Sequence, residues 1–266
     1  MEARPRPIVD LAAGCACGAV GVAFKGKVKA MFLCACEDCQ KATGTGLVCA
    51  FPKGPALVAA HLRGEPITGV PWYTLHKVFA GLRDAALLAE SDTARAVLMR
   101  LADWAVVATR PLSDTQFEAM LGTEHGGMNE VLADLYFMSG NPDYRALAVR
   151  FSHKTVLEPL AKGRDHLDGL HANTQVPKII GFHRVYEATG DARYAEAAAF
   201  FWRTVAHTRS FATGGHGDNE HFFPMADFAK HIFSAKGSET CGIHNMMKLT
   251  RALFLHDPQA DSADFY

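Results

Sequence analysis

No apolar run in this chain is long enough to span a bilayer, so a helical membrane protein is not expected. The opening Met1-Glu2-Ala3-Arg4-Pro5-Arg6-Pro7 lacks the continuous apolar segment of a signal peptide, which makes a cytoplasmic location the default expectation. Charge of either sign is scarce in the balance. A net charge of −1 and a pI near 6.9 give no global field directed at nucleic acid or an anionic membrane. Strand-type alternation is sparse as well. The seven cysteines (Cys15, Cys17, Cys34, Cys36, Cys39, Cys49 and Cys241) are odd in number and follow no secretory signal, which argues against a disulfide framework. Their thiols are then packing residues or metal ligands.

What remains is the composition of a globular protein, 49% hydrophobic and 21% charged, with enough length for a large core. Apolar residues recur at helical spacing: Phe79, Leu82, Ala86 and Ala89; Val97, Leu101, Trp104 and Ala108; Val131, Leu132, Leu135 and Tyr136; Ile179, Phe182, Val185 and Tyr186; and Met246, Met247, Leu249, Leu253 and Phe254. Most prolines fall where connections are expected.

An internal repeat organises these stretches. Leu135 to Tyr144 parallels Val185 to Tyr194, with Tyr136 and Tyr186, Gly140 and Gly190, and Tyr144 and Tyr194 each fifty positions apart. Each copy reads as a helix, a Gly-containing turn, and a new helix opened by Asn or Asp. Weaker echoes occur at Glu90-Ser91-Asp92, at Gly21 to Lys25 and around His256-Asp257-Pro258. Two helices per fifty residues predict stacked helical hairpins, as an open solenoid or a closed (α/α) toroid.

Four polar stretches lie at or just before predicted helix starts: Thr123 to Glu130, Leu170 to Gln175, Gly214 to Phe222, and Ser238 to Asn245. In a hairpin repeat such starts gather at one end of the scaffold, the usual layout of a binding pocket. Glu220, in a Gly-rich loop beside His216 and His221, is a candidate general acid if partly desolvated, and otherwise a solvated loop carboxylate. Glu239 and Cys241, two apart with His244 close by, are competent zinc ligands; the alternative is a buried cysteine beside a first-turn carboxylate. His125, His171, Asn129 and Glu130 suit contacts to a polyhydroxylated substrate, or capping and core roles. Trp72 and Tyr73 suit stacking on a sugar or packing in a core.

Taken in order, Val70 to Lys77, Glu124 to Leu132, Leu170 to Lys178, Asn219 to Phe222, Glu239-Thr240-Cys241 and Asn245 to Arg251 resemble family 127 of the glycoside hydrolases, the β-L-arabinofuranosidases, from about Phe24 to the last residue. The resemblance implies an all-α fold, an (α/α)6 toroid of the six-hairpin glycosidase type, incomplete here, over residues 24–266, preceded by a segment 1–23 of uncertain character. It also implies a retaining hydrolase of terminal L-arabinofuranosyl residues, with an oligosaccharide or glycan as substrate and zinc as cofactor. In that scheme zinc is held by one glutamate and three cysteines, one of them the nucleophile, and a second glutamate is the acid/base. Glu220 matches the acid/base. Glu239 and Cys241 match two of the zinc ligands, and His125 and His171 match substrate contacts, with Glu130 and His221 beside them.

One departure bears on activity. The family's adjacent Cys-Cys pair, nucleophile and last ligand, follows Glu-x-Cys at a distance, and no cysteine follows Cys241 in this sequence. The expectation is little or no activity from this chain, with uncovered helix faces favouring self-association. Two other readings stand beside it. One is a non-catalytic helical-hairpin domain that binds carbohydrate or protein. The other is an N-terminal zinc module, since Cys15-Ala16-Cys17 and Cys34-Ala35-Cys36-Glu37-Asp38-Cys39 resemble the clusters of the glutathione-dependent formaldehyde-activating enzyme fold. Phe24 to Phe51 otherwise reads as a helix in which these cysteines pack.

Overall fold

A computed structural model describes residues 8–14, 21–27 and 54–266 of the chain. Two compact units divide it, Met1–Pro111 and Leu112–Tyr266. The first unit holds strands β1 (Ile8–Gly14) and β2 (Gly21–Lys27) and helices α1 (Gly54–Leu62), α2 (Pro71–Leu88) and α3 (Asp92–Thr109). β1 and β2 pair antiparallel, with Leu11 opposite Phe24. The helix expected from Phe24 is therefore corrected over Phe24–Lys27. There the apolar Val22 and Phe24 alternate with Ala23 and Lys25 at strand period, and the backbone pairs across the hairpin rather than along the chain. The echo of the helical repeat at Gly21 to Lys25 falls with it. The remainder of that stretch, with Cys34, Cys36, Cys39 and Cys49, lies outside the described residues, as do Cys15 and Cys17.

The Glu90-Ser91-Asp92 echo has a structural counterpart. Ser91 caps α3 by accepting from the Ala94 amide, and Glu90 takes a left-handed φ of 50°. The buried faces of α2 and α3 coincide only partly with the expected stripes: Phe79, Ala86 and Leu101 are buried, Leu82, Val97, Trp104 and Ala108 are half-buried, and Ala89 is exposed. Trp72, Leu75 and Phe79 are fully buried, as are Leu98 and Leu101, and Trp72 meets the Trp104 ring at 5.9 Å.

The second unit is wholly helical apart from isolated bridges: α4 (Asp114–Met120), α5 (Met128–Ser139), α6 (Pro142–Arg150), α7 (Lys154–Ala161), α8 (Ala172–Thr189), α9 (Ala192–Thr204), the short α10 (Phe228–His231), α11 (Thr240–His256) and α12 (Ala260–Phe265). The fifty-residue repeat is α5–α6 and α8–α9. Both first helices end on a left-handed glycine, Gly140 (φ 72°) and Gly190 (φ 74°), and both second helices are capped, by Asn141 and Asp191. Pro142 enters at the start of α6, but Pro159 and Pro177 sit within helices, not in connections. Each lies in the second turn of its helix, where one i→i−4 bond is missing.

α8 is the hub. It packs against α5, α6, α9 and α11 and buries Val176, Ile179, Phe182 and Val185 together with Gln175, Lys178 and His183. Its register against its neighbours is set by polar links. The buried Asn129 side chain donates to the Lys178 carbonyl at 2.9 Å, Arg184 binds Asp134 at 2.6 Å, and Asn245 donates to Asn173 at 2.9 Å. These pairs make α5, α8 and α11 run parallel, so their N-terminal ends lie at one end of the unit. Gly181 permits the α5–α8 approach, because a Cβ there would overlap the Asn129 amide. Among the described residues no helix is long and apolar enough to cross a membrane.

Candidate functional site

The loop between α9 and α10 lies over the start of α8. Its backbone pairs with the segment leading into that helix: the Ala172 amide donates to the Glu220 carbonyl at 2.7 Å, and the Phe222 amide to the Leu170 carbonyl at 2.9 Å. Two consecutive non-glycine residues, Asn219 (φ 48°) and Glu220 (φ 69°), are left-handed. Such strain persists only where the surroundings impose it, and it concentrates at functional sites. Gly217 is also left-handed, at φ 77°, and lies close to Ala172.

This backbone presents Glu220 to His171. Glu220 Oε2 lies 3.2 Å from His171 Nε2, and the His171 and His221 rings are 5.1 Å apart. Glu220 and His221 are exposed and His171 is half-buried, so the pair opens to solvent. Of the residues singled out from the sequence, these three are brought together directly.

The same loop touches the start of α11. His216 is buried, stacked on Phe222 at 5.5 Å, and its ring reaches Gly242 closely enough that a Cβ there would stand 3.2 Å from it. Burial pushes the His216 pKa down to about 4, which keeps the ring neutral. Beside Gly242, the Cys241 thiol donates to Glu239 Oε2 at 3.1 Å. Burial, then the Glu239 carboxylate, raises the thiol pKa, so the sulfur holds its proton in this environment. Thiol and carboxylate offer two adjacent metal donors. Among the described residues no cluster of three or more His, Cys, Asp or Glu is placed to hold a metal ion.

The other two candidates have different settings. His125 is buried before α5, 5.6 Å from the His153 ring and 6.3 Å from Phe151, with Nδ1 3.2 Å from the Thr123 carbonyl and Nε2 buried without a hydrogen-bond partner. Glu130 faces Lys248 of α11 at 3.8 Å, in a groove also lined by Asp134, Arg184 and Arg251. Trp72 is a fully buried core residue of the first unit.

Three supporting groups went unremarked in the sequence. Arg209, buried at the end of the π-helical turn Val205–Arg209, binds Asp165 (2.8 Å), Asp168 (2.6 Å) and the Phe223 carbonyl (3.0 Å). It thereby ties the segment before His171 to the one after Glu220. Asp218 accepts from His231 Nδ1 at 2.6 Å and from Ser234 at 2.7 Å, and these bonds hold its carboxyl below the usual carboxylate range. Lys178 lies buried 3.3 Å from His153 Nδ1. Desolvation takes the lysine down to about 8, and desolvation with the lysine's charge takes His153 down to about 3. The histidine density of residues 216–231 was the one sequence signal for the Asp218 network. Arg209 and Lys178 gave none, because each looks like an ordinary cation at a helix position.

Set beside known proteins, the chain matches the profile described as the β-L-arabinofuranosidase GH127 catalytic domain over residues 24–266. No curated protein sequence matches it. Among solved structures, a GH127 β-arabinofuranosidase superposes with a TM-score of 0.58 at 19% identity, covering 73% of this chain and 32% of that one. A GH127 β-L-arabinofuranosidase from Geobacillus stearothermophilus T6 gives 0.56 at 16% identity, covering 80% and 37%. The likeness is one of fold, and the chain spans about a third of the length of either.

Proposed function

The chain belongs to the GH127 β-L-arabinofuranosidase catalytic-domain family, and from that premise we propose that it carries the acid/base half of a retaining glycosidase site for terminal L-arabinofuranosyl residues. The observation that carries this is the His171–Glu220 pair, held by a strained loop at the same end of the helices as Glu239 and Cys241. Glu220 protonates the leaving glycosidic oxygen. His171 orients that carboxyl, and with His221 it binds sugar hydroxyls. His125, with a free buried nitrogen, and Glu130 line the remainder of the substrate's surroundings.

Glu239 and Cys241 fit a zinc ion by donor chemistry, a carboxylate beside a soft thiol. Bound zinc would remove the proton that Cys241 now holds and supply thiolate character at the site. The family's Cys-Cys nucleophile pair does not occur among these 266 residues, so the polypeptide of these residues is proposed to bind the sugar while hydrolysing it little or not at all.

Titration of the chain with methyl β-L-arabinofuranoside, followed by NMR, tests this. Binding is expected, and His171→Ala or Glu220→Ala is expected to weaken it about tenfold, as for one lost charge-assisted hydrogen bond. Zinc content is expected to fall in Cys241→Ser and to be retained in Glu220→Ala. Sugar binding indifferent to both His171 and Glu220 would overturn the assignment.

A further inference from the structure

Asp218 to His221 form a two-residue reverse turn. The Asp218 amide donates to the His221 carbonyl at 2.9 Å, and the His221 amide to the Asp218 carbonyl at 3.1 Å. Both central residues, Asn219 and Glu220, have positive φ, as in a primed hairpin turn. Asparagine suits the first of these positions. The second favours glycine, and here it holds a glutamate. A conformation that Glu220 does not choose for itself has to be imposed by its surroundings. The backbone bonds to Leu170 and Ala172 supply part of that constraint. Further holds come from residues 231–236, where the Lys236 carbonyl accepts from the Asn219 amide at 2.8 Å.

His231, the last residue of α10, reaches both ends of the segment that carries Glu220. Its Nδ1 donates to Asp218 Oδ2 at 2.6 Å. Its ring lies flat on Phe223, with 4.0 Å between centroids and 16° between planes. Asp218 is two residues before Glu220 and Phe223 three residues after it. Ser234 donates to the other Asp218 oxygen at 2.7 Å. These bonds, His231 first, favour the ionised Asp218 carboxyl, which accepts both in charge-assisted form. Phe223 is a firm second anchor. It is buried, Arg209 binds its carbonyl at 3.0 Å, and Phe228 of α10 packs on its ring at 5.9 Å.

We propose that His231 is a positioning residue of this site: by holding Asp218 and Phe223 together it keeps the intervening turn closed and the Glu220 carboxyl against His171. Ser234 is the second hold on Asp218. His231 acts through Asp218 and not on a substrate, and its functional meaning rests on the assignment of Glu220 as the acid/base group.

NMR on the full chain tests it with two readouts, the His171 imidazole signals without sugar and the affinity for methyl β-L-arabinofuranoside. Glu220→Ala marks where the His171 signals go when the carboxyl is removed. His231→Ala is expected to move them the same way and to weaken sugar binding about tenfold. The double variant with Glu220→Ala is expected to lose no more than either single one. His231→Asn, whose amide can take the place of the Nδ1–H donor, is expected to restore both readouts. His231→Phe keeps a ring on Phe223 without the bond and is expected to behave as His231→Ala; it carries the comparison if the alanine variant does not fold. His171 signals unmoved in a folded His231→Phe or His231→Ala chain overturn the proposal. So does a binding loss that adds to that of Glu220→Ala, or one that His231→Asn fails to restore. Sugar binding indifferent to Glu220→Ala, with the His171 signals still displaced by His231→Phe, would remove the acid/base assignment and leave the positioning role standing.

Discussion

Glu90 occupies, at φ 50°, the place that Gly140 and Gly190 fill at 72° and 74° in the two turns of the fifty-residue repeat. A side chain in that conformation costs on the order of 1 kcal/mol, which glycine avoids. Glu90→Gly is therefore expected to stabilise the first unit by about 1 kcal/mol, read as a raised unfolding midpoint in thermal denaturation; an unchanged or lowered midpoint would contradict this. The same strain at Asn219 and Glu220 has no such remedy, since a glycine at 220 would delete the carboxyl that the turn presents to His171. At this scale the sequence disclosed what carries a motif. Glu220, His171, Glu239 and Cys241 could be picked out because their neighbours resemble a known pattern. Lys178 and Arg209 could not, because their importance lies in burial and in side-chain partners 25 or more positions away, which no local pattern encodes.

Helices were the most legible elements, since an apolar stripe at 3.6-residue spacing has few other outcomes in a chain of this length. The fifty-residue repeat even located the left-handed caps. Legibility failed where tertiary contacts override local preference. Pro159 and Pro177 should have ended helices and do not, and Phe24 was placed in a helix while its backbone pairs across a hairpin. Gly181 is a further case. It looks like a weak point in α8, yet it is what lets the Asn129 amide reach the Lys178 carbonyl. Gly181→Ala, a change that favours helix in isolation by about 1 kcal/mol, is expected to destabilise the second unit by about 3 kcal/mol through overpacking and loss of that bond. Denaturant unfolding decides the sign, and a stabilised variant would refute the close-approach account.

For the molecule as a whole, the buried neutral histidines predict an acid-sensitive fold. His153 and His216 titrate near pH 6.5 when unfolded but near 3 and 4 when folded. Between those values the unfolded chain binds protons that the folded one does not, so stability is full above about pH 6.5 and declines as the pH falls toward 4. The slope is about 1.4 kcal/mol per pH unit for each histidine. A melting temperature that stays level or rises from pH 7 to pH 4 would contradict this.

The parallel order of α5, α8 and α11 has an electrostatic consequence. Each helix carries roughly half a positive charge at its N-terminus and half a negative charge at its C-terminus. Three aligned macrodipoles therefore polarise this group of helices, with the positive ends beneath the loops that bear Glu124, Glu220 and Glu239. The opposite end receives His256 in the last turn of α11. Acidic groups meet an attractive field at one end, and the other end favours cationic neighbours. The two ends of one helical layer are thus chemically unlike before any side chain in the loops is considered.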